Sequence, residues 1–123
     1  MPMKDLEVIK ALIKKAMKAS LNLEELFEKW PEDFAENDFF ESVFDDIESA
    51  VEHLPGDASG EVDWFSFQHS TEYRLLQYDL IILDYLNSED LILTGLKELK
   101  NKIVSFRLSP DEIENEIEKM RIG

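Results

Sequence analysis

Apolar residues recur at steps of three and four along most of this chain, the spacing that places them on one face of an α-helix. Leu6, Ile9, Ile13, Ala16 and Met17 predict an amphipathic helix over 4–19, with Lys10, Lys14 and Lys18 on its opposite face. Residues 23–29 read as a short helix. Asn22 stands at its N-cap, Glu25 sits at the capping-box position, and Trp30-Pro31 ends it, because proline disfavours helical geometry in the residue before it. Phe40, Val43, Phe44, Ile47, Val51 and Leu54 form one stripe and predict a helix over 37–54 that Pro55-Gly56 stops.

The next stretch, 55–69, contains Gly56, Asp57, Ser59 and Gly60 and reads mainly as loop, with Val62 to Phe67 a candidate extended segment. Residues 71–87 are apolar nearly all round: Tyr73, Leu75, Leu76, Tyr78, Leu80, Ile81, Ile82, Leu83, Tyr85 and Leu86 leave little polar surface. Such a helix is expected at the centre of a bundle. Asn87 or Ser88 marks a break and a new N-cap. Ile92, Leu96, Leu99 and Ile103 then predict a helix over 89–104, with Gly95 inside it at a cost of about 1 kcal/mol relative to Ala if exposed. The last helix has the strongest start: Ser109 as N-cap, Pro110 in the first turn, Glu112 completing a capping box and Leu108 stapling onto Ile113. Ile113, Ile117 and Met120 form its narrow apolar face.

These elements predict an all-α fold, a five- to six-helix irregular or orthogonal bundle packed around helix 71–87. A chain of 123 residues fits a single helical domain over 1–123 and leaves no room for a second core. No internal repeat is present. The absence of Cys excludes disulfides, thiolate zinc sites and cysteine nucleophiles. The N-terminus lacks the uninterrupted apolar segment of a signal peptide. The most apolar stretch, Leu80 to Leu83, is flanked by Asp79 and Asp84 and is far too short to span a membrane. A cytoplasmic location is the expectation.

Charge changes the picture most. The net charge is −15, and it is unevenly placed. Residues 1–20 carry five Lys against two acids (+3), while residues 21–63 carry fifteen acids against Lys29 alone (−14). Such a field repels nucleic acid and anionic membranes and attracts basic partners. On the predicted third helix Asp38, Glu41, Asp45, Glu48 and Glu52 fall at steps of three and four, opposite the apolar stripe. Like charges at that spacing destabilise a helix by about 0.2–0.5 kcal/mol per pair, and no Lys or Arg occurs between 30 and 73 to relieve them. The bland interpretation is a solvated face, or one neutralised by the lysines of the first helix. The functional interpretation is a docking face for a basic protein, and in the extreme case a mimic of DNA phosphates.

Other chemistry is sparse. Asp57-Ala58-Ser59-Gly60-Glu61-Val62-Asp63 resembles the middle of an EF-hand calcium loop. With Gly60 at the turn position, Pro55 and Ser66 stand where a carboxylate and a bidentate Glu are needed. Glu24-Glu25-Leu26-Phe27-Glu28 resembles the EExxE motif of all-α nucleoside-triphosphate pyrophosphohydrolases of the MazG type, which hold magnesium with clustered helical carboxylates. That resemblance implies a magnesium-dependent nucleotide hydrolase with Glu24, Glu25, Glu28, Asp45 and Glu48 as the metal-side residues. The family's second pair, ExxD, is matched only by the reversed Asp45-Asp46-Ile47-Glu48, and Trp30-Pro31 cuts the motif helix short.

Neither His53 nor His69 has a Glu three residues before it, as a helical di-metal site would require, and Ser70 reads as an N-cap. Trp30, Trp64, Phe65 and Phe67 lie near breaks, where aromatics close a small core or form a binding patch. The expectation is a non-enzymatic acidic interaction module with no cofactor, no catalytic residues and no resident metal. It would act as an inhibitor or immunity-type partner of a basic protein, with Asp38, Glu41, Asp45, Glu48 and Glu52 as the partner-binding residues. The likeness to toxin-immunity proteins and DNA mimics is one of composition. The pyrophosphohydrolase is the enzymatic alternative. A structural or homodimeric subunit, associating through helix 89–104 or the C-terminal helix, is a third.

Overall fold

A computed structural model describes residues 2–32, 37–56, 58–86, 90 and 95–122. Among them the chain forms seven helices: α1 Pro2–Met17, α2 Leu23–Lys29, α3 Asp38–Glu52, α4 Trp64–Gln68, α5 Thr71–Tyr85, α6 Leu96–Phe106 and α7 Pro110–Ile122. The fold is all-α, and α5 is its hub, packing against α1, α3, α4, α6 and α7, while α2 packs on α3. On α5 Leu76, Ile82 and Leu83 are fully buried. Tyr73, Leu75, Tyr78, Leu80, Ile81 and Tyr85 are half-buried, as a helix surrounded by neighbours requires.

Local chemistry sets the helix ends. Asn22, Asn37, Asp63 and Ser70 each accept a hydrogen bond from a first-turn backbone N–H. Ser109 and Glu112 exchange the two bonds of a capping box at the start of α7. α1 closes in a Schellman turn: Ala19 adopts φ 57°, and the Ser20 N–H donates to the Lys15 carbonyl at 2.9 Å.

Two elements differ from the sequence expectation. Residues 64–68 are neither loop nor extended. Asp63 accepts from the Ser66 N–H and hydroxyl and starts the short helix α4, which buries Phe67 against Tyr73 of α5. The loop before it is closed by a Gly56–Val62 bridge and a hydrogen bond from the Asp63 N–H to the Pro55 carbonyl. Gly95 is not inside a helix but precedes α6 with φ 87°, a left-handed conformation that favours glycine. α6 therefore begins later than expected and extends to Phe106. The expected cap at Asn87 or Ser88 and the contribution of Ile92 lie outside the described residues, as does Asp57. No helix among the described residues is long and apolar enough to cross a membrane.

Candidate functional site

Helix α3 presents two different surfaces. Its buried side, Phe39, Phe40, Val43, Ile47 and Ala50, seals the core against α1 and α5. At 100° per residue Asp38, Glu41, Asp45, Glu48 and Glu52 occupy an arc of about 80° on the far side of the helix. Four of these carboxylates are exposed and Glu48 is half-buried. None takes part in an ion pair among the described residues. Two lysines of α1 are directed elsewhere: Lys10 pairs with Glu7 and with Asp84 of α5, and Lys15 pairs with Glu25 of α2 at 2.5 Å. The intramolecular neutralisation that would make this face inert is therefore not made by these two lysines.

An apolar border adjoins the acidic arc. Phe44 lies on the α3 flank next to Glu41 and Glu48. The ring of Phe27, from α2, stacks on it at 5.7 Å, and Trp30 meets it edge-on at 5.1 Å. Phe27 remains 57% exposed, although an aromatic ring loses about 1.5–3 kcal/mol of transfer free energy by staying in water. A second exposed aromatic pair lies on α4, where Phe65 stacks on His69 at 4.4 Å and Trp64 is partly in solvent.

Sequence periodicity missed a buried polar cluster behind the acidic face. Asp46 and Ser42 lie on the α3 flank toward α6. The Lys100 Nζ donates to Ser42 Oγ at 2.5 Å and to Asp46 Oδ2, and stands 3.0 Å from Asp79 Oδ1. The side chains of Lys100 and Asp79 are 5% and 0% exposed, so two carboxylates and one ammonium meet with almost no water. Burial and the neighbouring Asp46 carboxyl hold the Asp79 carboxyl well above its usual range, and the Lys100 charge only partly opposes them. The signal in the sequence was Asp79 itself, a lone carboxylate inside the apolar run Tyr78 to Leu83.

This cluster brings Ser, Lys and Asp together between α3, α5 and α6, and its Ser42 hydroxyl already accepts a hydrogen bond from Lys100. A cleft of about 260 Å³ lies between α6 and α7, lined by Gly95, Glu98, Leu99, Lys102, Glu116 and Met120. Its Lys102 and Glu116 are occupied with each other at 3.0 Å.

The remaining candidate residues serve local structure. Glu25 accepts from Lys15 and Lys29, while Glu24 and Glu28 point to solvent. No three or more His, Asp or Glu side chains among the described residues are grouped to hold a metal ion. Asp63, at the ninth position of the calcium-loop alignment, is engaged in capping α4. The ring Nδ1 atoms of His53 and His69 donate to the carbonyls of Ser49 and Phe65. Ser70 caps α5 and donates to the Phe67 carbonyl at 2.6 Å. No protein family, characterised protein or solved structure matches the chain.

Proposed function

We propose that this protein is a non-enzymatic acidic interaction module whose α3 face docks a basic protein, acting as an inhibitor or immunity-type partner. One observation carries the reading: five carboxylates share the outer face of α3 without a cationic partner among the described residues, beside an exposed aromatic ring at Phe27. A face of one sign speeds encounter with an oppositely charged partner, and a buried aromatic anchor supplies most of the affinity once contact is made.

The test is capture from the lysate of the source organism at low and high salt, repeated with Asp45→Lys/Glu48→Lys. The proposal expects one basic protein that is retained at low salt, released at high salt and lost with the double reversal. Retention undiminished by the double reversal, in a folded variant, rejects α3 as the docking face. Self-association is a second reading, favoured by the exposure of Phe106 at the end of α6 and Ile122 at the end of α7. A monomeric mass in dilute solution would reject it.

A further inference from the structure

The polar cluster behind α3 holds one charge too many for its surroundings. Its members come from three helices: Ser42 and Asp46 from α3, Asp79 from α5 and Lys100 from α6. Helices α1, α4 and α7 also pack on α5, but none of their described charged groups acts on Asp79. With both carboxylates ionised the cluster carries a net negative charge in a nearly dry site, where an uncompensated charge is strongly disfavoured.

The hydrogen-bond pattern identifies the misfit. Lys100 gives two hydrogen bonds, to Ser42 and Asp46, and its approach to Asp79 is close without hydrogen-bond geometry. Both Asp79 oxygens thus lack a hydrogen-bond partner, and the group beside them that could fill the role, Asp46, is itself an acceptor when ionised. A single proton resolves both problems. On Asp79 it becomes a donor to the Asp46 carboxylate and leaves Lys100 balanced by one negative charge.

We infer that Asp79 holds a proton that it donates to the Asp46 carboxylate, and that this proton is a latch holding α6 against α3 and α5. Loss of the proton to water as pH rises leaves two adjacent carboxylates competing for one lysine. Their repulsion is relieved by admitting water between the helices, which loosens α6 first because it contributes the only cation of the cluster among the described residues.

Carboxyl-detected NMR of the protein labelled at Asp, titrated from pH 4 to 10, tests this directly. Amide exchange of α6 is followed in parallel and corrected for intrinsic hydroxide catalysis. One Asp carboxyl is expected to keep its protonated shift well above the pH at which the other Asp carboxyls titrate, with α6 protection falling at least tenfold across that step. Asp79→Asn, whose amide can donate to Asp46 permanently, should remove that resonance and flatten the α6 profile. If Asp79→Asn does not fold, Asp46→Asn replaces it. This variant takes away the acceptor that shares the proton, so the remaining titration should move toward acid. Titration of every Asp carboxyl below pH 5 in the wild-type protein overturns the inference. So does an α6 transition that persists unchanged in Asp79→Asn, or a midpoint unmoved in Asp46→Asn.

Discussion

Lys100 Nζ lies 3.0 Å from Asp79 Oδ1, yet its hydrogen bonds go to Ser42 and Asp46 on a different helix. One ammonium therefore joins α6 to α3 directly and reaches α5 by charge alone. Proximity without a hydrogen bond makes this a cluster in which each residue's worth depends on the others, and its energetics should be strongly non-additive.

Replacing Lys100 with Met should expose that coupling. The change leaves the Asp46 charge without its counter-ion in a largely buried position, and we expect a loss of about 3 kcal/mol in urea unfolding, the low end for breaking a buried pair. Adding Asp46→Asn removes the stranded charge and should recover more than half of the loss. Strictly additive single and double variants would contradict the cluster description.

The pH dependence of stability should have two origins of opposite sign. Hydrogen bonds and charges from Lys15 and Lys29 hold the Glu25 carboxyl below its usual 4.5, and Lys102 does the same for Glu116. A carboxylate with a lowered folded value contributes stability above its unfolded value and loses it as pH falls through the folded one. These two groups thus act on the acid side, below pH 4.5, modestly because solvent and salt screen exposed pairs. Asp79 has the opposite sign. Its raised folded value makes the stability contribution complete below 3.8 and progressively lost as pH rises above that value. Thermal melts from pH 3 to 10 should show Glu25→Gln altering only the region below pH 4.5, and Asp79→Asn removing a decline that begins near pH 3.8 and continues as pH rises.

Gly95→Ala should cost about 1–2 kcal/mol, the penalty of a left-handed backbone for a residue with a Cβ. The added methyl meets Met120 at 3.9 Å, an ordinary contact, so strain at φ 87° is the whole effect. A melting temperature equal to that of the wild type would show that the turn adapts.

Asn37 starts the acidic helix by accepting from the Phe39 and Phe40 N–H groups at 2.9 and 3.1 Å. Asn37→Ala should lower stability by about 1 kcal/mol, while Asn37→Ser or Asn37→Asp retains most of it. Chemical denaturation with all three variants distinguishes a capping role from a packing one.

If α3 docks a basic partner, Phe27→Ser should weaken binding while lowering stability by only about 1 kcal/mol, the worth of its stacking on Phe44, because the ring is largely in solvent before docking. Salt should reduce the association rate for the wild type and Phe27→Ser alike, since their charges are the same. Unchanged affinity in Phe27→Ser would confine the interface to the carboxylates.

The sequence by itself determined most of the helical segments and which of their faces are buried. The repeats Leu6–Ile9–Ile13 and Phe40–Val43–Ile47 and the caps at Asn22, Ser70 and Ser109 depend only on residues within one or two turns, and each occurs in the structure as the pattern predicts. The hub position of α5 was legible for the same reason, because an apolar surface on all sides needs neighbours on all sides. The helical state of Trp64–Gln68 was not legible: five residues are too few to show a period, and α4 exists through its Asp63 cap and the packing of Phe67 on α5. Only the tertiary structure placed Gly95 before a helix rather than inside one, and only it brought Phe27 and Trp30 onto Phe44. The cluster of Asp46, Asp79 and Lys100 was decided in the same way. These residues stand on three helices far apart in the chain, and their shared burial follows from how those helices cross, a relation that periodicity within one helix does not contain.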